Sequence, residues 1–367
     1  MNQVSLAAVG DWAFFGALVI YLLAFVLHAL EFGATRRAWR DVGVACVEPA
    51  ALLVTASRES PPRTTDVDEP DAADGSGLPP DLTTSRRGHP GTWLEKCGRV
   101  AVVETALGAT VHLMSLVLRG VAAGRPPWGN MYEFSSTIAL IAIVTWLVLL
   151  HRHRGARRIG AFVLLPVAVL MFLGGTVLYL PAGPVVPALQ SYWLAIHVSA
   201  AAFASGILVV SGVASVLHVA TTRARRNVEQ APGDKSSPHS PAPAEMSDGT
   251  SDEPLRAGRS LLPNALMLDR LAYRAAAVAF PIWTFAVIAG AIWAEAAWGR
   301  YWGWDPKETT AFVAWVIYAA YLHARATAGW RGTPAALINI VGLIVMLFNL
   351  FFVNLVVTGL HSYAGLR

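Results

Sequence analysis

Apolar stretches of about twenty residues recur along most of this 367-residue chain, a length matched to the hydrocarbon core of a bilayer. Inside lipid no water reaches free N–H and C=O groups, so each stretch must satisfy its own backbone as a helix. An alternating ten-residue barrel pattern is absent. With 55% hydrophobic and only 14% charged residues, the chain is too apolar for a water-soluble globule. The expectation is an all-α polytopic integral membrane protein with about eight transmembrane helices, near 11–31, 99–119, 133–150, 159–180, 191–219, 271–296, 308–325 and 335–357. Segment 42–56 is also apolar, but Glu48 and Pro49 interrupt it, and it reads as interfacial.

Lysines and arginines set the orientation. With the N-terminus and C-terminus outside, 23 of the 28 Lys and Arg fall in inner loops or at inner helix ends, against five outside. The formal net charge of +4 is therefore a topology signal rather than a nucleic-acid footprint, and no nucleic-acid motif accompanies it. Residues 57–90 and 227–254 are rich in Pro, Ser, Asp, Gly and Thr and hold almost no large apolar side chain, which predicts flexible cytoplasmic linkers. The chain thus divides into a first transmembrane helix (1–35), a linker (36–97), helices two to five (98–220), a second linker (221–268) and helices six to eight (269–367). No basic region precedes a short apolar run and cleavage site, so the first span is expected to be retained. The two cysteines, Cys46 and Cys97, show neither redox nor zinc spacing, so any thiol chemistry belongs to another protein.

Between the sixth and seventh spans lies WGRYWGWDPKE, from Trp298 to Glu308. Tryptophan enrichment at a lipid boundary is the plain explanation, and for Trp293 alone it is as good as any other. Trp298, Trp302 and Trp304 with glycines between them offer more, since their indole faces can meet a large planar ligand such as a porphyrin. Asp305, Pro306 and Glu308 form a capping-box pattern for the seventh helix. Arg300 and Lys307 are not favoured beside a helix N-terminus and suit ligand carboxylates instead.

Histidines near helix ends form the second constellation. His197 opens the fifth span and His361 follows the eighth, both outside, while His323 and His28 sit near inner ends. An imidazole in or beside a membrane span needs a partner, and two neutral imidazoles can ligate a heme iron from opposite faces. Helix-end hydrogen bonding remains the plain alternative for each. His218 adjoins a linker and carries no assignment. In GRPPWGNMYEFSS (124–136), the prolines exclude helix, Asn130 can cap the third span, and Trp128, Met131, Tyr132 and Phe134 make an aromatic surface for packing or ligand contact; Glu133 reads as a cap-region acid.

Taken together, WGRYWGWDPKE, GRPPWGNMYEFSS, WLAIHVS (193–199), LHAR (322–325) and GLHSY (359–363) resemble, in order, the segments of the heme-handling WWD family, and specifically the CcsA/ResC branch of System II cytochrome c maturation, called CcsB in some actinobacteria. The resemblance runs from Gly98 onward, and the two linkers depart from it as insertions. It implies heme b as cargo, a heme-binding segment at 293–308, His197 and His361 as outer axial ligands, and His323 as an inner ligand completed by a CcsB/ResB-type partner or by His28. Trp298, Arg300, Trp302, Trp304, Asp305 and Lys307 would then contact the heme. It further implies apocytochrome c as substrate, a thioredoxin-like thiol reductant system, a cytoplasmic membrane location with an outward active face, and a role as subunit of a holocytochrome c synthase. Three function classes stay open on sequence alone: heme delivery with attachment, heme transport without ligation, and an unrelated metal-ion transporter.

Overall fold

The computed structural model describes residues 3–45, 90–230, 264–327 and 329–361, and among these every regular element is helical. In chain order the long helices are α1 (Gln3–Ala45), α2 (Pro90–Ala123), α3 (Met131–Arg152), α4 (Gly160–Thr176), α5 (Tyr192–Gln230), α6 (Ala265–Trp298), α7 (Pro306–Ala326) and α8 (Thr333–Phe348). Short 3-10 turns precede α4 and α5, and a π turn, Asn349–Val353, extends α8. Seven of the eight are long and apolar enough to cross a membrane. The exception is α7, whose ends carry Lys307, Glu308, His323 and Arg325. The result is an all-α, multi-pass membrane protein.

Helix ends follow capping chemistry more closely than they follow hydropathy. The Asn130 side chain accepts from Glu133 N at 2.9 Å and starts α3, as its position suggested. Asn264 does the same for α6, and Gly299, left-handed at φ 70°, ends it by donating to Glu295 O. Where no glycine or proline intervenes, helices overrun the apolar runs. α1 continues to Ala45, α2 begins at Pro90, and α5 runs to Gln230, because Arg, Glu, Gln and Ala are good helix formers. The 36–97 and 221–268 linkers are therefore entered by helix from both sides. Residues 46–89 and 231–263, with Cys46 and most of both linkers, lie outside the described residues, as does Arg367.

The bundle is arranged in sequence. α1 packs on α2 and α4, α3 on α4 and α5, α5 on α6, and α8 on both α5 and α7. α6 and α7 run antiparallel, and at one end Arg325 closes a bidentate pair with Asp269 at 2.5 and 3.0 Å. Trp315 Nε1 donates to Thr284 Oγ1 midway along the pair, so α7 is in register with α6 over its length. Trp146 is wholly buried, its indole N–H satisfied by Ala156 O at 3.1 Å.

A buried ionic network joins the N-terminal half at the end where α1 and α3 begin. Arg119 (1% exposed) donates to Glu133 at 2.8 Å, to Asp11 at 2.9 Å and to Leu180 O. Arg125 reaches the second Glu133 oxygen at 2.7 Å, where Gly129 N also donates. The guanidinium of Arg119 lies over the Tyr132 ring, and Tyr179 donates to Asp11. Glu133, 0% exposed, is thus more than the cap-region acid expected from sequence: three helices and two connecting segments converge on it and its partner. Removing one member of such a pair leaves an uncompensated buried charge, costing about 3–5 kcal/mol. Glu133→Ala is expected to lower the melting temperature in detergent sharply, with Glu133→Gln intermediate, measured by differential scanning fluorimetry. An unchanged midpoint for both would show the network to be solvated.

Candidate functional site: a histidine- and tryptophan-lined cavity

At the end of the bundle carrying the α7 N-terminus, α3, α5, α6, α7 and α8 enclose a cavity with a water-accessible volume of about 180 Å³. Its lining is predominantly apolar, from Phe134, Val198, Ala286 and Leu350 among others, with Lys307, Asn354 and His361 among its polar members. Both His197 and His361 line it. His197, on the second turn of α5, donates from Nδ1 to Ala286 O on α6 at 2.7 Å. Room for the ring comes from Gly290: a Cβ there would lie 2.7 Å from His197 Nδ1. His361, beyond the π turn of α8, donates from Nδ1 to Asp305 Oδ2 at 2.8 Å.

The two acceptors have the same consequence. A carbonyl and a carboxylate can only accept, so each imidazole carries its proton on Nδ1 and keeps the Nε2 lone pair free. Among the described residues no hydrogen bond occupies either Nε2. Trp293, 2% exposed, packs against both rings: it stacks on His197 at 6.1 Å and 7°, and meets His361 edge-on at 5.6 Å. Trp298 completes the group at 4.9 Å from His361.

Asp305 forms the expected capping box with Glu308, which accepts from Gly303 N at 2.8 Å and Asp305 N at 3.2 Å. It also accepts from Leu360 N at 2.8 Å, a contact the cap pattern alone does not disclose. Burial pushes the Asp305 carboxyl up, but the Leu360 and His361 hydrogen bonds outweigh it and hold the group below the usual carboxylate range. Burial first, then the Lys307 charge, push His361 down to about 4, against the upward pull of Asp305. Lys307 itself donates to Asn354 Oδ1 at 2.7 Å, so its ammonium is held in place in the lining.

Not every residue of the tryptophan-rich run faces this cavity. Trp302 and Lys307 line it, as does Tyr301. Trp304 is 67% exposed and turned outward by a backbone φ of 56°, the single non-glycine positive φ among the described residues. Arg300 is exposed and folds over Gly303, away from the lining. Trp298 packs on Trp293 and His361 and is not part of the cavity lining. His323 lies in the last turn of α7, at the far end beside Arg325. His28 is buried against Trp146 at 5.4 Å and beside Gly160, on α1, whose main neighbours are α2 and α4. The structure therefore brings His197 and His361 together and leaves His323 and His28 elsewhere. Sequence reasoning passed over Gly290 and undervalued Trp293; their position one turn apart on α6, facing WLAIHVS, was the available signal.

Three buried polar atoms in this lining have no partner: the indole N–H groups of Trp302 and Trp283 and Asn349 Oδ1. Orphans of this kind inside a cavity mark a place built for a polar-edged guest. Free imidazole lone pairs, an apolar and aromatic lining and one fixed cation fit an iron porphyrin with carboxylate substituents.

A membrane-embedded helical bundle with such a cavity has a known family. The family model described as cytochrome C assembly protein matches residues 128–361, from Trp128 on the cavity wall to His361, and the chain belongs to that family. The proteins named cytochrome c biogenesis protein CcsA are similar over most of their length. That of Prochlorococcus marinus (strain MIT 9313) is 35% identical over 283 residues, 74% of this chain and 87% of its own. That of Synechococcus elongatus is 37% identical over 288 residues, 71% of this chain and 87% of its own. Among solved structures, cytochrome c heme lyase CcmF superposes with a TM-score of 0.55 at 15% identity, covering 96% of this chain and 47% of that one, which establishes likeness of fold.

His361 supplies a pH test. Its neutral form is favoured in the folded state, so its stabilising contribution is complete above the unfolded value of 6.5 and is lost as pH falls towards about 4. Tryptophan fluorescence, which an adjacent imidazolium quenches, is expected to drop with a midpoint near 4. His361→Asn should abolish the step, and a midpoint near 6.5 would place the ring in solvent.

Proposed function

We propose that the chain binds heme b in this cavity on the outer face of the cytoplasmic membrane and presents it for covalent attachment to apocytochrome c. The observation that carries the reading is the pair of imidazoles, His197 and His361, each with Nδ1 committed to an acceptor and both in the lining of one cavity. The family match and the name of its CcsA relatives support cytochrome c maturation as the setting. In this reading eight helices cross, with both termini outside, which puts the α7 N-terminus and the tryptophan-rich segment on the side poor in Lys and Arg.

The reaction adds the thiols of a CxxCH segment across the heme vinyl groups. A C–S bond forms at one vinyl carbon, hydrogen passes to the other, and no net redox change occurs. The chain's residues contribute position rather than acid–base chemistry. His197 and His361 hold the iron, Asp305 and Ala286 O fix those rings, Lys307 pairs with a carboxylate, and Trp302 and Trp293 shield a face. Cys97, in α2, lies outside the cavity lining, so the thiols and their reductant come from other proteins, including a thioredoxin-like system. A CcsB/ResB-type membrane partner completes the synthase, and His323 serves a separate inner heme contact.

Replacing both His197 and His361 by Gly is expected to reduce bound heme at least tenfold in protein purified from heme-replete cells, with recovery in added imidazole. Undiminished Soret absorbance would sink the axial assignment. Gly290→Val, which drives a side chain into the His197 ring, should mimic the His197 variant alone. Co-expression with the partner and an apocytochrome separates attachment from carriage: thioether-linked heme that survives denaturation supports the proposal, and heme binding without it leaves transport.

A further inference from the structure

The turn between α3 and α4, at the end of the bundle opposite the cavity, carries more positive charge than the fold uses. Residues 151–158 read HRHRGARR, with four arginines, two histidines and no acid. Arg157 turns inward and closes a salt bridge with Glu31 of α1 at 2.6 Å. His151, Arg152, His153, Arg154 and Arg158 are exposed. The two buried acids at this end, Glu31 and Asp269, are held by Arg157 and Arg325, so among the described residues neither balances Arg152 or Arg154.

The backbone under these side chains is fixed. His153 N donates to Leu149 O at 2.8 Å on entry to the 3-10 turn, Arg154–Ile159, and within it Ala156 O accepts from the buried Trp146 indole at 3.1 Å. Gly155 lies against Met267 near the start of α6, where a Cβ would stand 3.4 Å from the sulfur. Antiparallel α5 and α6 keep one register: His197 donates to Ala286 O and His218 to Ala265 O, and the interval from 197 to 218 equals that from 286 back to 265. Ala265 precedes Met267 by two residues, so the end of α5 flanks the same corner, and its Arg223, Arg225 and Arg226 are exposed.

Apolar surface leads away from the turn on both helices. Val144 and Val148, 42% and 55% exposed, stand four residues apart on α3, and Arg152 is the next position of that row. On α4, exposed Leu165, Val169 and Phe172 form a similar row leading away from Arg158. In a helix that crosses a membrane such rows face acyl chains, and cations at their ends stand at headgroup depth. A bias of basic residues to one side of the membrane accounts for arginine in a loop of this kind. It requires neither a pinned turn nor apolar rows that each lead to an arginine.

We infer that the α3–α4 turn is a binding site for an anionic phospholipid, its phosphate held by Arg152, Arg154 and Arg158 and its acyl chains lying along the exposed rows of α3 and α4. Guanidinium forks match phosphate oxygens two at a time, which a point charge does not. The apolar rows favour a lipid over a free phosphate. The site is independent of the heme reading and stands or falls without it.

The test uses the full chain purified in detergent, with phosphatidylglycerol or phosphatidylcholine added and bound lipid counted by native mass spectrometry. Wild-type protein is expected to retain phosphatidylglycerol in preference to phosphatidylcholine, and excess inorganic phosphate should not displace it. Arg152→Gln with Arg154→Gln should lower that retention at least tenfold. Lys96→Gln with Arg99→Gln makes the same change of charge on α2 and should leave it unaltered. Should the first pair fold poorly, Arg152→Lys with Arg154→Lys keeps the charge without the forks and is expected to give an intermediate loss. Phosphatidylglycerol should also raise the melting midpoint of wild type and not that of the Arg152→Gln, Arg154→Gln protein. Equal retention of the two lipids by wild type, retention unmoved by the α3–α4 changes, or an equal loss in the α2 pair overturns the inference. Displacement by phosphate overturns it too, leaving a bare anion site.

Discussion

Three hydrogen bonds on the Asp305 carboxylate tie the cavity end of the molecule together. One cap bond, from Lys307 N, starts α7; one, from Leu360 N, pins the chain after α8; and one, from His361 Nδ1, orients an imidazole into the cavity. These contacts join segments more than fifty residues apart in sequence, and each depends on the others, since the carboxylate must face the α7 axis to cap it and lie beside residue 360 to hold the loop. Helix termination, loop closure and ligand orientation thus share one group. A carboxylate in a cap is ordinary, but here the group that completes the helix end also fixes the orientation of an imidazole on the cavity lining.

The other side of the cavity is built differently. His197 is fixed by a backbone carbonyl on a neighbouring helix, and by the absence of a side chain at Gly290. The N-terminal half contributes its wall through Trp128, Asn130 and Met131, whose loop is anchored by Glu133 and, through it, by Arg119 and Arg125. Stability and site are therefore coupled: the buried ionic network is remote from the histidines but holds the strand of chain that faces them.

Much of this was readable in the residues. The apolar runs located the eight long helices among the described residues, because backbone in lipid must satisfy itself as helix; the D-P-K-E pattern disclosed the α7 cap, and histidines at helix ends disclosed the two rings. What stayed hidden is instructive. Helix ends were misjudged at Ala45, Pro90 and Gln230, since leaving the apolar layer does not end a helix when good helix formers follow. Trp304 was read as a ligand contact for its indole face and Arg300 as a cation disfavoured beside a helix N-terminus, but a left-handed backbone turns the first outward and the second folds over Gly303. The Ala286 carbonyl could not be read at all, for a backbone acceptor on another helix leaves no mark on side-chain identity.

The shared register of α5 and α6 has a mechanical meaning. If α6 slid along α5 by one residue, both carbonyls would shift by about 1.5 Å in the same direction, and His197 and His218 would lose their acceptors together. The helix pair would in that case act as a push-rod: a displacement imposed at one end of it would be felt, without intermediate parts, by an imidazole at the other.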